Sequence, residues 1–145
     1  MSAPLPNLRT LVVDDQLYMR KVIKTVLVNM GLKTVTEASD GREAMVVLNQ
    51  SNILRRAREG NDRVVGLIVS DWSMPNMDGL EFLKAVRNQK WLKDIPFLML
   101  TAEGQQESVL EAVQHGVDDY MVKPFKTGDL EKKIRAVIEK RGIKR

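Results

Sequence analysis

"VVGLIVSDWSMPNMDG", Val64 to Gly79, is the stretch that decides how the chain is read. Its first part, "VVGLIVS" (Val64 to Ser70), is a nearly continuous apolar run, the pattern of a parallel strand covered on both faces. It runs straight into Asp71, with Trp72 directly behind, and then empties into a loop. A charged residue closing an apolar strand needs a partner, because burying a carboxylate alone is costly.

Working outward, further β-type runs alternate with helical patterns. "RTLVV" (Arg9 to Val13) and "KTVTEA" (Lys33 to Ala38) come before; "PFLMLT" (Pro96 to Thr101) and "DYMV" (Asp119 to Val122) come after. Gln16 to Met30 sets Val22, Ile23, Val26 and Leu27 on one helical face and stops at Gly31, a natural C-terminal cap. Asp40 with Glu43, and Asp78 with Glu81, have the spacing of capping boxes. A last helix, Thr127 to about Arg141, keeps Leu130, Ile134, Val137 and Ile138 on one side. The pattern predicts a doubly wound α/β domain with a parallel sheet, and right-handed crossovers leave few topologies. At 145 residues the chain fits one domain, 1–145 with a core of about 8–142, and no second domain is expected.

Composition removes several functions. With no cysteine there is neither a disulfide framework nor a thiolate metal site. No apolar run approaches the roughly 20 residues of a membrane span, and "MSAPLPNLRT" lacks a signal peptide's apolar stretch, so a cytoplasmic protein is expected. The net charge of +4 invites a nucleic-acid reading, but much of it sits in "LRRAR" (Leu54 to Arg58) and the tail "EKRGIKR". A solvated helix face explains it better, so neither nucleic acid nor membrane is an expected partner.

In open parallel sheets the ligand crevice lies beyond the carboxyl ends of the strands. There the sequence puts Asp14 and Asp15, Asp71, Thr101, and Lys123 with Pro124. Three carboxylates crowded together repel, so either a pKa rises or a cation joins them. Magnesium suits such a set, being held by one or two carboxylates, waters and a phosphate oxygen. The Lys123 ammonium offers donors and no acceptor, which suits phosphate, and Thr101 adds a hydroxyl. The group resembles a phosphoryl site with Asp71 as the acceptor, since a carboxylate can attack phosphorus. Each residue alone has a plainer reading: Asp14 and Asp15 as turn formers, Lys123 as a surface lysine, Thr101 as a helix cap. Their coincidence at strand ends favours the site.

Other chemistries fail on the same residues. "DWSMPNMDGLEF" places Asn76 where a calcium loop needs glycine and Phe82 where it needs a bidentate glutamate. "DGRE" and "AEG" match neither the dinucleotide nor the Walker pattern. The only histidine, His115, precedes Gly116 at a helix end, the place of a dipole-compensating cap.

"VVDDQ", "SDWSMPNMDGL", "LMLTAE" and "YMVKPF", in this order and spacing, resemble the receiver domain of response regulators, especially its single-domain chemotaxis members. The resemblance runs from about Leu8 to Gly142. It implies a flavodoxin-like sheet of five parallel strands in the order 2-1-3-4-5 flanked by five helices. It implies that Asp71 takes a phosphoryl group from a histidine kinase or a small phosphodonor. Asp14, Asp15, Asp71 and the backbone carbonyl of Ser73 would hold Mg2+, and Lys123 and Thr101 would bind phosphoryl oxygens. Tyr120 would change rotamer as Thr101 moves, the Lys123–Pro124 bond would be cis, and Trp72 would be a bystander and reporter. The protein would be a phosphoacceptor and not a turnover enzyme, with autodephosphorylation chemistry.

The output of such a receiver would be a monomer's contact with a protein, such as a flagellar motor switch, through the fourth helix, fifth strand and fifth helix. A phosphatase could act on it. The rival within the family is a phosphorelay intermediate or phosphate sink serving a histidine phosphotransfer protein. The rival outside it is a magnesium-dependent aspartyl-phosphate phosphatase, but those place their two aspartates two residues apart on the first strand, whereas Asp14 and Asp15 are adjacent.

Two departures from the family stand out. Ser73 replaces an expected asparagine; with Glu103 it would line the path of attacking water and modulate dephosphorylation. "NQSNILRRAREGNDR" (Asn49 to Arg63) is longer than the family leads one to expect, extending the second helix by a turn or two and lengthening its loop. A tolerated insertion costs little stability. The sharper hypothesis, prompted by Arg55, Arg56 and Arg58, is a basic contact for one kinase or target. Charge reversal at these three positions should weaken association with one of them; unchanged affinity for both would contradict the hypothesis.

Overall fold

The computed structural model describes residues 5, 8–54, 64–102 and 106–141. Strand β1 (Arg9–Val13) is followed by α1 (Leu17–Asn29), β2 (Thr34–Ala38) and α2 (Gly41–Leu48). Then come β3 (Val65–Asp71), α3 (Gly79–Arg87), β4 (Phe97–Ala102), α4 (Gln106–Gln114), β5 (Asp119–Lys123) and α5 (Thr127–Lys140). The strands form one parallel sheet in the order β2-β1-β3-β4-β5, as expected.

Alternation along the strands feeds two cores. Val12, Leu67, Val69, Leu98 and Leu100 face α1 and α5, meeting Ile23 and Leu27 from one helix and Leu130, Ile134, Val137 and Ile138 from the other. On the opposite face Leu11, Val13, Ile68, Phe97 and Met99 meet α2, α3 and α4 through Leu48, Phe82, Val86 and Ala112. The near-continuous apolar character of β1, β3 and β4 follows from cover on both faces.

Caps fall where the sequence puts them. Asp40 and Asp78 accept from the backbone N–H of Glu43 and Glu81 at 2.8 and 2.9 Å. Gly31 closes α1 with φ of 94°, a left-handed value that favours glycine. The boundaries shift slightly from expectation. Gln16 caps α1 instead of lying in it, and Asp71 and Lys123 are the last residues of β3 and β5 instead of following them.

The expected extension of the second helix is present in a different form. Asn49–Leu54 continues α2 as a π-helix. There the buried Asn52 side chain accepts from Val65 N–H at 2.9 Å and donates to Val65 C=O at 3.0 Å. This amide serves both backbone groups of the first residue of β3, which would otherwise be costly to bury. Arg55, Arg56 and Arg58 lie outside the described residues.

The edge of the sheet away from Asp71 is tied by Asp118. Its Oδ2 accepts from Arg87 Nη2 at 2.9 Å and Phe97 N–H at 2.7 Å, and its Oδ1 from Arg141 Nε at 2.6 Å. Arg87 also donates to the carbonyls of Gly116 and Ile95 at 2.9 and 2.7 Å. Burial, helped by the nearby Arg141 charge, pulls the Arg87 pKa down to about 10 against the pull of Asp118 and Asp94, so it stays protonated at neutral pH. Removing one partner of such a group leaves the other charged and buried. Asp118→Ala should therefore cost about 3–5 kcal/mol in urea unfolding; a loss within experimental error of zero would show that water replaces the carboxylate.

Candidate functional site

The first, third and fifth strands bring three of the expected residues to one edge. Along a strand side chains alternate, so Asp14 just beyond Val12, Asp71 beyond Val69, and Lys123 beyond Met121 emerge toward the α1 and α5 face. The Lys123 ammonium lies 3.0 Å from Asp71 Oδ1 and 3.3 Å from Asp14 Oδ2. Asp14 is fully buried and Asp71 nearly so, whereas Asp15 is exposed. Carboxylate oxygens of Asp14, Asp15 and Asp71 all lie within 4.8 Å of one another.

Backbone and side-chain donors fix this geometry. Trp72 N–H donates to Asp71 Oδ1 at 2.9 Å, and Gln16 N–H to Asp14 Oδ1 at 2.9 Å. Arg20 Nη1 donates to the Asp14 carbonyl at 2.7 Å while its Nε meets Glu37 Oε1 at 3.0 Å. Gly79 N–H reaches the Trp72 carbonyl at 2.8 Å. A Cβ at Gly79 would collide with the Asp71 carbonyl and stand 2.8 Å from Met99 Sδ, so only glycine lets α3 start this close to the strand end. Asn76, at φ of 65°, donates to Asp40 Oδ2 at 2.8 Å, tying the loop after β3 to the cap of α2. The N–H of Glu43, and next the Asn76 amide, hold the Asp40 carboxyl below its ordinary value.

The charges are unequal, and their pKa values follow. Burial raises Asp71 above the ordinary carboxylate value; the Lys123 hydrogen bond opposes this and the Asp14 charge adds to it. Burial also works against the Lys123 ammonium, but its hydrogen bond to Asp71 and the charges of Asp71 and Asp14 outweigh that and raise its pKa. One cation facing two carboxylates stays protonated. A carboxylate facing one cation, one like charge and little water remains under strain.

That residual repulsion, and a donor set made only of hard oxygens, fits a divalent cation of the magnesium or calcium kind. The acidic cluster could hold such a metal ion.

Thr101 is buried near the end of β4. Register pairs Met99 with Tyr120 and Thr101 with Val122, so Thr101 and Tyr120 share the other sheet face, the one covered by α4. Tyr120 is 38% exposed. Ser73 is exposed in the loop after β3, and Trp72 is buried beside Asp71. The Lys123–Pro124 bond is cis. Glu103 lies outside the described residues. His115 follows the last residue of α4, its N–H bonded to the carbonyls of Glu111 and Ala112, away from the acidic edge. Arg20, Asn52 and Asn76 escaped the sequence reading; each acts through a long-range contact that no local spacing announces.

The sequence profile of the response regulator receiver domain matches residues 10–135. The chain belongs to that family. It is 38% identical over 133 residues to the chemotaxis protein CheY of Pseudomonas aeruginosa, covering 92% of this chain and 98% of that one. It is 36% identical over 134 residues to the chemotaxis protein CheY-3 of Vibrio cholerae, covering 92% and 94%. Among solved structures, the chemotaxis response regulator CheY4 of Vibrio cholerae superposes with a TM-score of 0.76 at 33% identity, covering 91% of this chain and 99% of that one. The receiver domain of the Francisella response regulator 1452 gives 0.75 at 31% identity, covering 92% and 98%. This is a CheY-like receiver, and none of its described helices is long and apolar enough to cross a membrane.

The raised Asp71 value sets the pH dependence of the metal-free receiver. Below the unfolded carboxylate value of 3.8 both states are protonated and Asp71 has no effect. As pH rises from 3.8 to the higher folded value the unfolded state ionises first, so the folded state loses stability across that window and no more above it. Asp71→Asn should therefore be more stable than the wild type at pH 7 without divalent ions, and the gain should shrink as pH falls toward 3.8. A variant less stable at pH 7 would mean that attraction to Lys123 outweighs burial.

Proposed function

We propose that this chain works as a cytoplasmic receiver of a chemotaxis-type two-component system, phosphorylated on Asp71. The observation that carries the reading is the nearly buried Asp71 carboxylate at the end of a rigid strand, 3.0 Å from Lys123 and beside Asp14 and Asp15. A carboxylate oxygen of Asp71 forms the new P–O bond. The P–N bond of a kinase phosphohistidine, or the P–O bond of a small acyl phosphate, breaks.

Asp14, Asp15, Asp71 and the Ser73 carbonyl would hold Mg2+, which when bound offsets charge on the transferring group. Lys123 keeps its proton throughout and donates to phosphoryl oxygens, exchanging a carboxylate partner for a phosphate. Buried Thr101 supplies a hydroxyl from β4. Ser73 and Glu103 stand as candidates for modulating attack by water, and so the lifetime of the acyl phosphate.

The output is a protein contact. Exposed Leu110 and Val113 on α4 give the α4–β5–α5 surface an apolar face suited to a protein partner, and Tyr120 at its β5 edge changes rotamer, turning inward, as Thr101 moves. Moving an equilibrium from about 1:99 to 99:1 takes roughly 5.5 kcal/mol. Charge-assisted hydrogen bonds contribute about 1.5–3 kcal/mol each, so new bonds from Thr101 and Lys123 to the phosphoryl group suffice for most of the shift.

Intact mass after incubation with magnesium and acetyl phosphate tests the reading. One added phosphoryl group is expected on the wild type and none on Asp71→Asn or without magnesium; an equal adduct on Asp71→Asn would refute it. Thr101→Ala should still accept phosphate but lose phosphorylation-dependent partner binding. Normal binding by that variant would remove Thr101 from the switch.

A further inference from the structure

The exposed ring of Tyr120 is not free. Lys133, on α5, sets its ammonium 5.6 Å from the ring centroid. The same ammonium is anchored by both oxygens of Asp119, each at 3.1 Å. Asp119 Oδ1 also accepts from the backbone N–H of Tyr120 at 2.8 Å. Because β5 is an edge strand, a side chain from α5 can reach around it to a ring that starts from the α4 face. A cation over an aromatic face is attracted by the ring quadrupole, and an anchored cation loses less freedom in staying there.

We propose that Lys133, anchored by Asp119, is a positioning residue that holds the Tyr120 ring outward at the sheet edge and thereby sets how readily the receiver switches. The inference rests on the receiver reading above, in which the ring moves inward toward Thr101 when the acceptor is modified. Tyr120 and Thr101 lie on one sheet face of adjacent strands, so a ring that turns toward Thr101 gives up its contact with Lys133. The latch favours the unmodified state and lowers the apparent affinity for anything that selects the inward one.

Beryllofluoride with magnesium, a stable mimic of the phosphoryl group, is the probe, read by fluorescence of Trp72 in a Trp91→Phe background. That background leaves one tryptophan, since the chain has 2. Lys133→Met removes the cation and keeps the stem. Asp119→Asn frees the ammonium while retaining an oxygen for the Tyr120 N–H.

Both variants should bind beryllofluoride about two- to fivefold more tightly than the parent, given the strength of exposed cation–π and ion-pair contacts. Lys133→Arg should restore parental affinity, because a guanidinium meets both a carboxylate and a ring. Damage to the fold would weaken binding, so a gain separates a latch from a structural strut. Unchanged or weaker binding in either variant overturns the proposal.

A second measurement does not depend on the receiver reading. The chain has 2 tyrosines, so 3-fluorotyrosine in a Tyr18→Phe background gives a single fluorine resonance from Tyr120. Without ligand, the resonance should move in both latch variants and show less solvent isotope shift, while Lys133→Arg leaves it in place. An unmoved resonance overturns the latch. Failure of the parent to bind beryllofluoride would overturn the receiver reading, and the fluorine resonance would still decide the latch.

Discussion

One ammonium group, Lys123, stands between two carboxylates that burial would otherwise force apart. It reaches Asp14 at 3.3 Å and Asp71 at 3.0 Å, joining the ends of the first, third and fifth strands. Attraction to both acids keeps the lysine charged, yet burial still holds Asp71 above the ordinary carboxylate value. A site built this way is poised: it is destabilised as it stands and relieved by whatever brings positive charge or removes negative charge. Such perturbed groups at a strand edge are where function is expected.

The rest of the fold holds that edge still. Asn52 grips the first residue of β3, and Asp40 with Asn76 grips the loop that follows its last. Thus α2 and its π-helical extension are hydrogen-bonded near both ends of the strand that carries Asp71. At the far edge Asp118 ties Arg87 of α3 and Arg141 beyond α5 to β4. Two residues beyond Asp118, on the edge strand that follows it, the Tyr120 ring is partly exposed and meets Lys133.

The sheet was legible because its strands are short apolar runs, bounded by caps whose chemistry is local: Gly31, Asp40 and Asp78 each act within one turn of their helix. The meeting of Asp14, Asp71 and Lys123 was legible because strand ends in a parallel sheet share an edge; Thr101 ends its strand there too, but on the other face of the sheet. The π-helix was not. It carries the buried amide of Asn52 to Val65, thirteen residues on in the chain, and such a pairing leaves no periodic trace. Arg20, Asn76, Arg87 and Lys133 were missed for the same reason, since an exposed-looking polar residue on a helix or loop gives no hint of its partner across the fold. Lys123 itself was placed after a strand when it is the strand's last residue, a difference of one position that still turns its side chain to the face of Asp71.

The most direct test is where the phosphoryl group goes. Borohydride converts an aspartyl phosphate to homoserine, so reduction after treatment with magnesium and acetyl phosphate, followed by peptide mass mapping, marks the acceptor. Homoserine at position 71 alone is the predicted result. Homoserine at Asp14 or Asp15 would contradict the account, because it would make the carboxylate held by Lys123 at 3.0 Å a bystander to the chemistry.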